Sequence, residues 1–212
     1  NAFEFIKNNG CFSIAFPGGK MPISVFKSLK DKVLRINNLD LSKINVFWLD
    51  DRFVPHDHLD SNYKLCNDHF LKYFDEINCY PIPNKKNIFQ CAELYEKTIL
   101  KNIQLGSNGT PKFDMILIGI GDDGHIASLF PNSNELNYAG KKIIIPVLNP
   151  PFKHQRITFT IELLNAANKR IIGVKGAKKV KIYNSINLKQ KNDFPLKYLL
   201  NSKSNDCWVI CP

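Results

Sequence analysis

Long hydrophobic stretches are missing from this 212-residue chain. The longest apolar run, around "IIIPVL", is broken by Pro146, and nothing approaches the ~20 residues a helix needs to cross a bilayer. No membrane partner is expected. Also missing is any C-x-x-C pair: Cys11, Cys66, Cys79, Cys91, Cys207 and Cys211 are scattered, which fits neither a zinc site nor a small disulfide scaffold. Reduced thiols in a cytoplasmic protein are the expectation. There is no G-x-S-x-G elbow for a covalent acyl-enzyme, no internal repeat and no low-complexity linker. The chain begins at Asn1 with neither Met nor a signal-peptide pattern, and reads as a piece of something longer.

What is present is an ordinary globular composition, 44% hydrophobic and 23% charged, long enough for one α/β domain over residues 1–212. The net charge of +10 is spread through the chain, as in "NKKN" and "LKQKND", without the clustered cations and interleaved aromatics of a nucleic-acid surface. An acidic small molecule is the expected partner, with no nucleic acid.

Seven apolar runs read as buried strands: 11–16, 44–49, 114–119, 143–147, 156–161, 170–174 and 207–210. Most are continuous rather than alternating, as in strands covered on both faces. Helical patterns lie between them. Pro22 stands at a first helical position before Ile23, Phe26, Leu29 and Val33; Ser61 or Asn62 caps a helix through Tyr63, Leu65 and Phe70; residues 91–104 and 177–186 follow suit. The stretch "CYPIPNKKNIFQC" is irregular. This alternation predicts an α/β, doubly wound, mostly parallel sheet with helices on both faces, in which ligands bind at the carboxyl ends of the strands.

Three strand-end loops carry the chemistry. In "IAFPGGKMPIS", Gly18 and Gly19 permit a tight turn before a helix N-terminus, either a phosphate cradle or a plain β-α turn. In "VFWLDDRFVPHDHLDSNYKL", Asp50, Asp51 and Arg52 end a strand, either to recognise an anion or as a local ion pair. His56 and His58 in the same loop hint at a metal, but no third ligand stands at a standard spacing, so none is assigned. In "GIGDDGHIASLFP", Asp122, Asp123 and Gly124 break the strand before His125. That histidine is either a structural one or a general base near its working pKa, and Gly119, Gly121 and Gly124 offer amides for an oxyanion site. Lys153, His154 and Arg156, before a later strand, are supporting cations.

Taken in order, "GGKMP", "LDDRFVPHDHLDSNY", "FDMILIGIGDDGHIASLFP" and "RITFTIELLNAANKR" resemble the 6-phosphogluconolactonases along nearly the whole chain. The resemblance implies a Rossmann-like α/β fold shared with sugar-phosphate deaminases and isomerases. It further implies hydrolysis of 6-phospho-D-glucono-1,5-lactone to 6-phospho-D-gluconate in the oxidative pentose phosphate pathway, with no metal or organic cofactor. His125 would be the base that deprotonates water, with Asp123 beside it and Asp50 shaping the pocket. Arg52 would hold the phosphate, joined by Gly18, Gly19 and Lys20, with Lys153 and Arg156 as further cations. In some lineages this family's domain is fused to glucose-6-phosphate dehydrogenase, which would suit a chain lacking its own start.

Two positions depart from the family pattern: Lys20 replaces the usual Ser or Thr after the glycines, and Asp51 stands where Glu is usual. Competing readings are a glucosamine-6-phosphate deaminase, whose motif has an Asn and a Glu that "DGHIASLFP" lacks, and a silent sugar-phosphate sensor, suggested by Lys20.

Overall fold

A computed structural model describes residues 2–187, 193–200 and 205–211. The first half contains α1 (Ala2–Asn9), β1 (Phe12–Phe16), α2 (Met21–Val33), β2 (Ile44–Trp48), β3 (Asp50–Arg52), α3 (Asn62–His69), β4 (Asn78–Cys79) and α4 (Ile88–Asn102). Then come β5 (Met115–Gly119), β6 (Ile144–Val147), β7 (Arg156–Phe159), α5 (Ile161–Ala166), β8 (Lys169–Lys175), α6 (Ala177–Asn187), α7 (Leu196–Leu200) and β9 (Asn205–Cys211).

Six strands form a parallel sheet in the order β4-β2-β1-β5-β8-β9. From the β1/β5 boundary the chain winds outward in both directions. Right-handed crossovers running opposite ways put their helices on opposite faces and open a crevice where the order reverses. The loops after β1 and β5 therefore face each other across that crevice. A buried polar pair fixes the two strands at their other end: Ser13 donates through its amide and its hydroxyl to Asp114 Oδ2, both at 2.8 Å.

The mostly parallel sheet is as expected, and two of the seven expected strands lie outside it. The runs 143–147 and 156–161 do form strands, but β6 and β7 join β3 in a separate antiparallel sheet ordered β3-β7-β6. The physical reason lies at the end of β2. Both backbone groups of Trp48 are taken by the buried Tyr95 hydroxyl, which accepts from Trp48 N at 2.8 Å and donates to Trp48 O at 2.9 Å. Leu49 then donates to Phe16 O of the large sheet and accepts from Phe159 N of the small one, at 2.9 and 2.8 Å. One residue thus joins the sheets. Beneath it, the Phe113 ring lies 5.2 Å from Phe47 and 5.4 Å from Phe159, so one aromatic cluster cores both. Each buried ring of this kind contributes roughly 1.5–3 kcal/mol.

Smaller differences concern boundaries. Met21 precedes Pro22 in α2, and α4 begins at Ile88 because the Asn87 side chain accepts from the amides of Phe89 and Gln90. The strand expected to reach residue 161 stops at Phe159, since Thr160 caps α5 by accepting from Leu163 N. Among the described residues no helix is long and apolar enough to cross a membrane.

Candidate active site

The three strand-end loops converge. A cavity of about 660 Å³ at the β1/β5 crevice is lined by Gly18, Gly19 and Lys20, by Asp50 and Arg52, and by Asp123 and His125. Arg156 lines it from β7. His125 follows a tight turn in which Gly121 N donates to His125 O at 2.8 Å and Gly124 N to Gly121 O at 3.1 Å. The ring is held by Asp123, whose Oδ1 lies 2.5 Å from His125 Nδ1, and by the rings of Phe130 and Phe152 at 5.0 and 5.8 Å. With Nδ1 pinned as a donor, the neutral ring carries its lone pair on Nε2, which has no hydrogen-bond partner among the described residues. Gly121 is required: a Cβ there would stand 2.2 Å from His125 Nδ1.

Asp50 is buried and placed by three neighbours. Its Oδ2 accepts from Ser128 Oγ at 2.6 Å and lies 3.9 Å from Arg156 Nη1, while Asn62 Nδ2 approaches Oδ1 at 3.4 Å. The Ser128 contact depends on Ala127, which turns the chain at φ 48, a left-handed conformation costly for a residue with a Cβ. Arg156 is itself buried, with Nε unpartnered, and its guanidinium lies 5.1 Å from the Phe152 ring. Burial pulls the Arg156 pKa down, and Asp50 partly offsets this. A buried guanidinium lining a cavity is a positive charge placed to meet an anion.

Arg52 is oriented from behind by Nη1, which donates to Asp60 O at 2.8 Å and Asn62 Oδ1 at 2.6 Å. Asn62 also bears on the glycine loop, since a Cβ on Gly18 would fall 1.9 Å from Asn62 Oδ1. Lys20 occupies the N-cap position of α2 with no side-chain cap, so the first amides of that helix have no side-chain acceptor from it. Asp51 points away from the cavity. Its carboxyl accepts the amides of Arg52, Asn62 and Tyr63 and the Ser61 hydroxyl, at 2.6–3.1 Å, which holds the N-terminus of α3. Burial pushes that carboxyl up to about 6 despite these donors, and Asp50 adds to the rise.

Two sequence expectations are revised. The amides of Gly121 and Gly124 are consumed inside the turn, and Gly119 belongs to β5, so these glycines do not form the oxyanion site expected of them. Lys153 is exposed and lies outside the cavity lining. In its place the cavity gains Lys178 and Lys179 from the first turn of α6, with Lys179 Nζ 3.8 Å from Asp122 Oδ1. The signal for these was present: "VKGAKK" is a fourth strand-glycine-helix junction, and Gly176 turns there at φ 92. Lys20, Arg52, Arg156, Lys178 and Lys179 outnumber Asp50, Asp122 and Asp123 on the wall, which suits a phosphate.

Residues 1–208 match the family described as glucosamine-6-phosphate isomerases/6-phosphogluconolactonase. The chain belongs to this family. Among its relatives, 6-phosphogluconolactonase 3, chloroplastic, of Arabidopsis thaliana is 32% identical over 98% of this chain and 65% of its own length. The 6-phosphogluconolactonase of Synechocystis sp. is 37% identical over 82% of this chain and 70% of its own. The chain thus spans about two thirds of these relatives, 65% in the Arabidopsis case. Among solved structures, 6-phosphogluconolactonase from Trypanosoma brucei superposes with a TM-score of 0.84 at 26% identity, covering 99% of this chain and 88% of that one. The family holds two chemistries, lactone hydrolysis and amino-sugar isomerisation, and the site must separate them.

Proposed function

We propose that this chain hydrolyses 6-phospho-D-glucono-1,5-lactone to 6-phospho-D-gluconate. The observation that carries the reading is His125, pinned through Nδ1 by Asp123 and presenting Nε2 without a hydrogen-bond partner among the described residues, at the wall of a cation-rich cavity. The lactonase relatives support it, and so does the absence of the deaminase Asn and Glu from "DGHIASLFP".

In this mechanism Arg52, Lys178, Lys179, and the Gly18–Gly19–Lys20 loop with the open N-terminus of α2 hold the phosphate. That anchors the far end of the substrate and places C1 near His125. A water oxygen adds to C1 as its proton passes to His125 Nε2, and Asp123 stabilises the imidazolium. Charge on the former carbonyl oxygen faces the buried Arg156 rather than the turn glycines. The C1–ring oxygen bond then breaks and the ring oxygen takes the proton back from Nε2, leaving a carboxylic acid that ionises. No cofactor enters these steps.

Replacing His125 with Ala should lower turnover of freshly generated lactone by ~10²- to 10⁴-fold with the melting temperature unchanged. Disappearance of the lactone must be read against its spontaneous hydrolysis. Wild-type protein that matches the buffer rate refutes the proposal, and ammonia release from glucosamine 6-phosphate would move the chain to the deaminase branch.

A further inference from the structure

His58, Asp60 and His154 lie outside the cavity lining, yet they form a cluster whose ligand atoms all fall within 4.8 Å of one another. The antiparallel pairing of β3 with β7 explains why they meet. Arg52 pairs with Arg156, and Phe53 N donates to Gln155 O at 2.8 Å, so the loop leaving β3 and the loop entering β7 run side by side from one end of the small sheet. His58 and Asp60 come from the first loop and His154 from the second.

The local bonding already presents donors. His154 Nε2 lies 2.9 Å from Asp60 Oδ2, and His58 Nδ1 lies 3.9 Å from the same oxygen. The Asp60 amide donates to His58 Nδ1 at 3.0 Å, so this nitrogen carries a lone pair, and an ion bound there displaces that hydrogen bond. His56 is not part of the set: its Nε2 is spent on Ile82 O at 2.8 Å and its ring packs on Tyr63. The two imidazole rings of the cluster stand 5.4 Å apart at 78°, edge to face.

We propose that His58, Asp60 and His154 bind one divalent transition-metal ion, zinc foremost, with water completing a four-coordinate shell. Two imidazoles and one carboxylate are a borderline donor set that suits zinc and cobalt and gives magnesium or calcium too few oxygens. The ion clasps the loop after β3 to the loop before β7. Because Asp60 O is an acceptor for Arg52, the clasp steadies that guanidinium at the cavity wall. The ion has no part in the lactone chemistry, so the metal site and the lactonase reading stand or fall separately.

The test is titration of the metal-stripped full chain with zinc by calorimetry and with cobalt by visible absorption, on wild type, His154→Ala, His58→Ala and His125→Ala. Expected are one zinc per chain, a cobalt spectrum of tetrahedral nitrogen and oxygen ligation, affinity reduced at least ~10-fold in each of the first two variants, and no loss in the third. Equal melting temperatures of all four proteins in chelator establish that the variants fold. The proposal is overturned if zinc does not bind, if binding survives both histidine changes, if it disappears with His125→Ala, or if intense thiolate-to-cobalt bands assign the metal to cysteines.

Discussion

Asp51 shows how far an acid's position outweighs its type. Its neighbour Asp50 faces the cavity, while Asp51, one step along the same strand, turns to the opposite side and caps α3. The site residue and the structural residue are adjacent in sequence, and alternation along the strand separates their roles. Burial raises the Asp51 pKa from 3.8 to about 6 in the folded state, so the folded protein keeps a proton between pH 4 and 6 that the unfolded chain has released. Stability from this group is therefore greatest below pH 4 and declines as pH rises through 6. Measured by denaturant unfolding, the advantage of wild type over Asp51→Asn should shrink from pH 4.5 to pH 7 by about 2 kcal/mol. A constant difference would show that Asp51 ionises normally. Gly121 makes the complementary case for a residue without a side chain. Gly121→Ala would push a methyl against His125 Nδ1 and Asp123 Oδ1, so steady-state assays should show kcat reduced about 10- to 100-fold with circular dichroism unchanged.

At the scale of elements, the strands were readable and their partners were not. The runs at 143–147 and 156–161 have the continuous apolar character of buried strands, which says that both faces are covered but not which sheet covers them. Their antiparallel sheet depends on Tyr95 saturating Trp48 across 47 positions, a contact no local pattern encodes. The motif loops were legible because their chemistry is local: glycines, acids and His125 stand together in sequence and remain together in the cavity. Lys178 and Lys179 were missed although their strand-glycine-helix junction follows the same rule, because α6 was weighed only for its apolar spacing. His154 as a partner for Asp60 was out of reach for a different reason: 94 positions separate them, and the register of β3 against β7 brings them together.

On the scale of the whole molecule, the charge of +10 has a focus. Five cations line one cavity, Lys20, Arg52, Arg156, Lys178 and Lys179, and several reach it from helix N-termini whose dipoles carry the same sign. Attraction of a phosphorylated substrate should then weaken as salt rises: KM for the lactone increases between low and ~0.3 M ionic strength, while kcat changes little. A salt-insensitive KM would place phosphate recognition on hydrogen bonds alone. The cavity itself draws on both sheets, His125 from a loop of the large one and Asp50 and Arg156 from strands of the small one. Leu49 is the peptide they share. Its place in the chain acts as a phase marker, because side chains alternate along a strand. Inserting a single residue there would exchange the faces shown by Asp50 and Asp51, bury the pocket acid against α3 and leave every lining loop intact around a site that no longer reads its substrate.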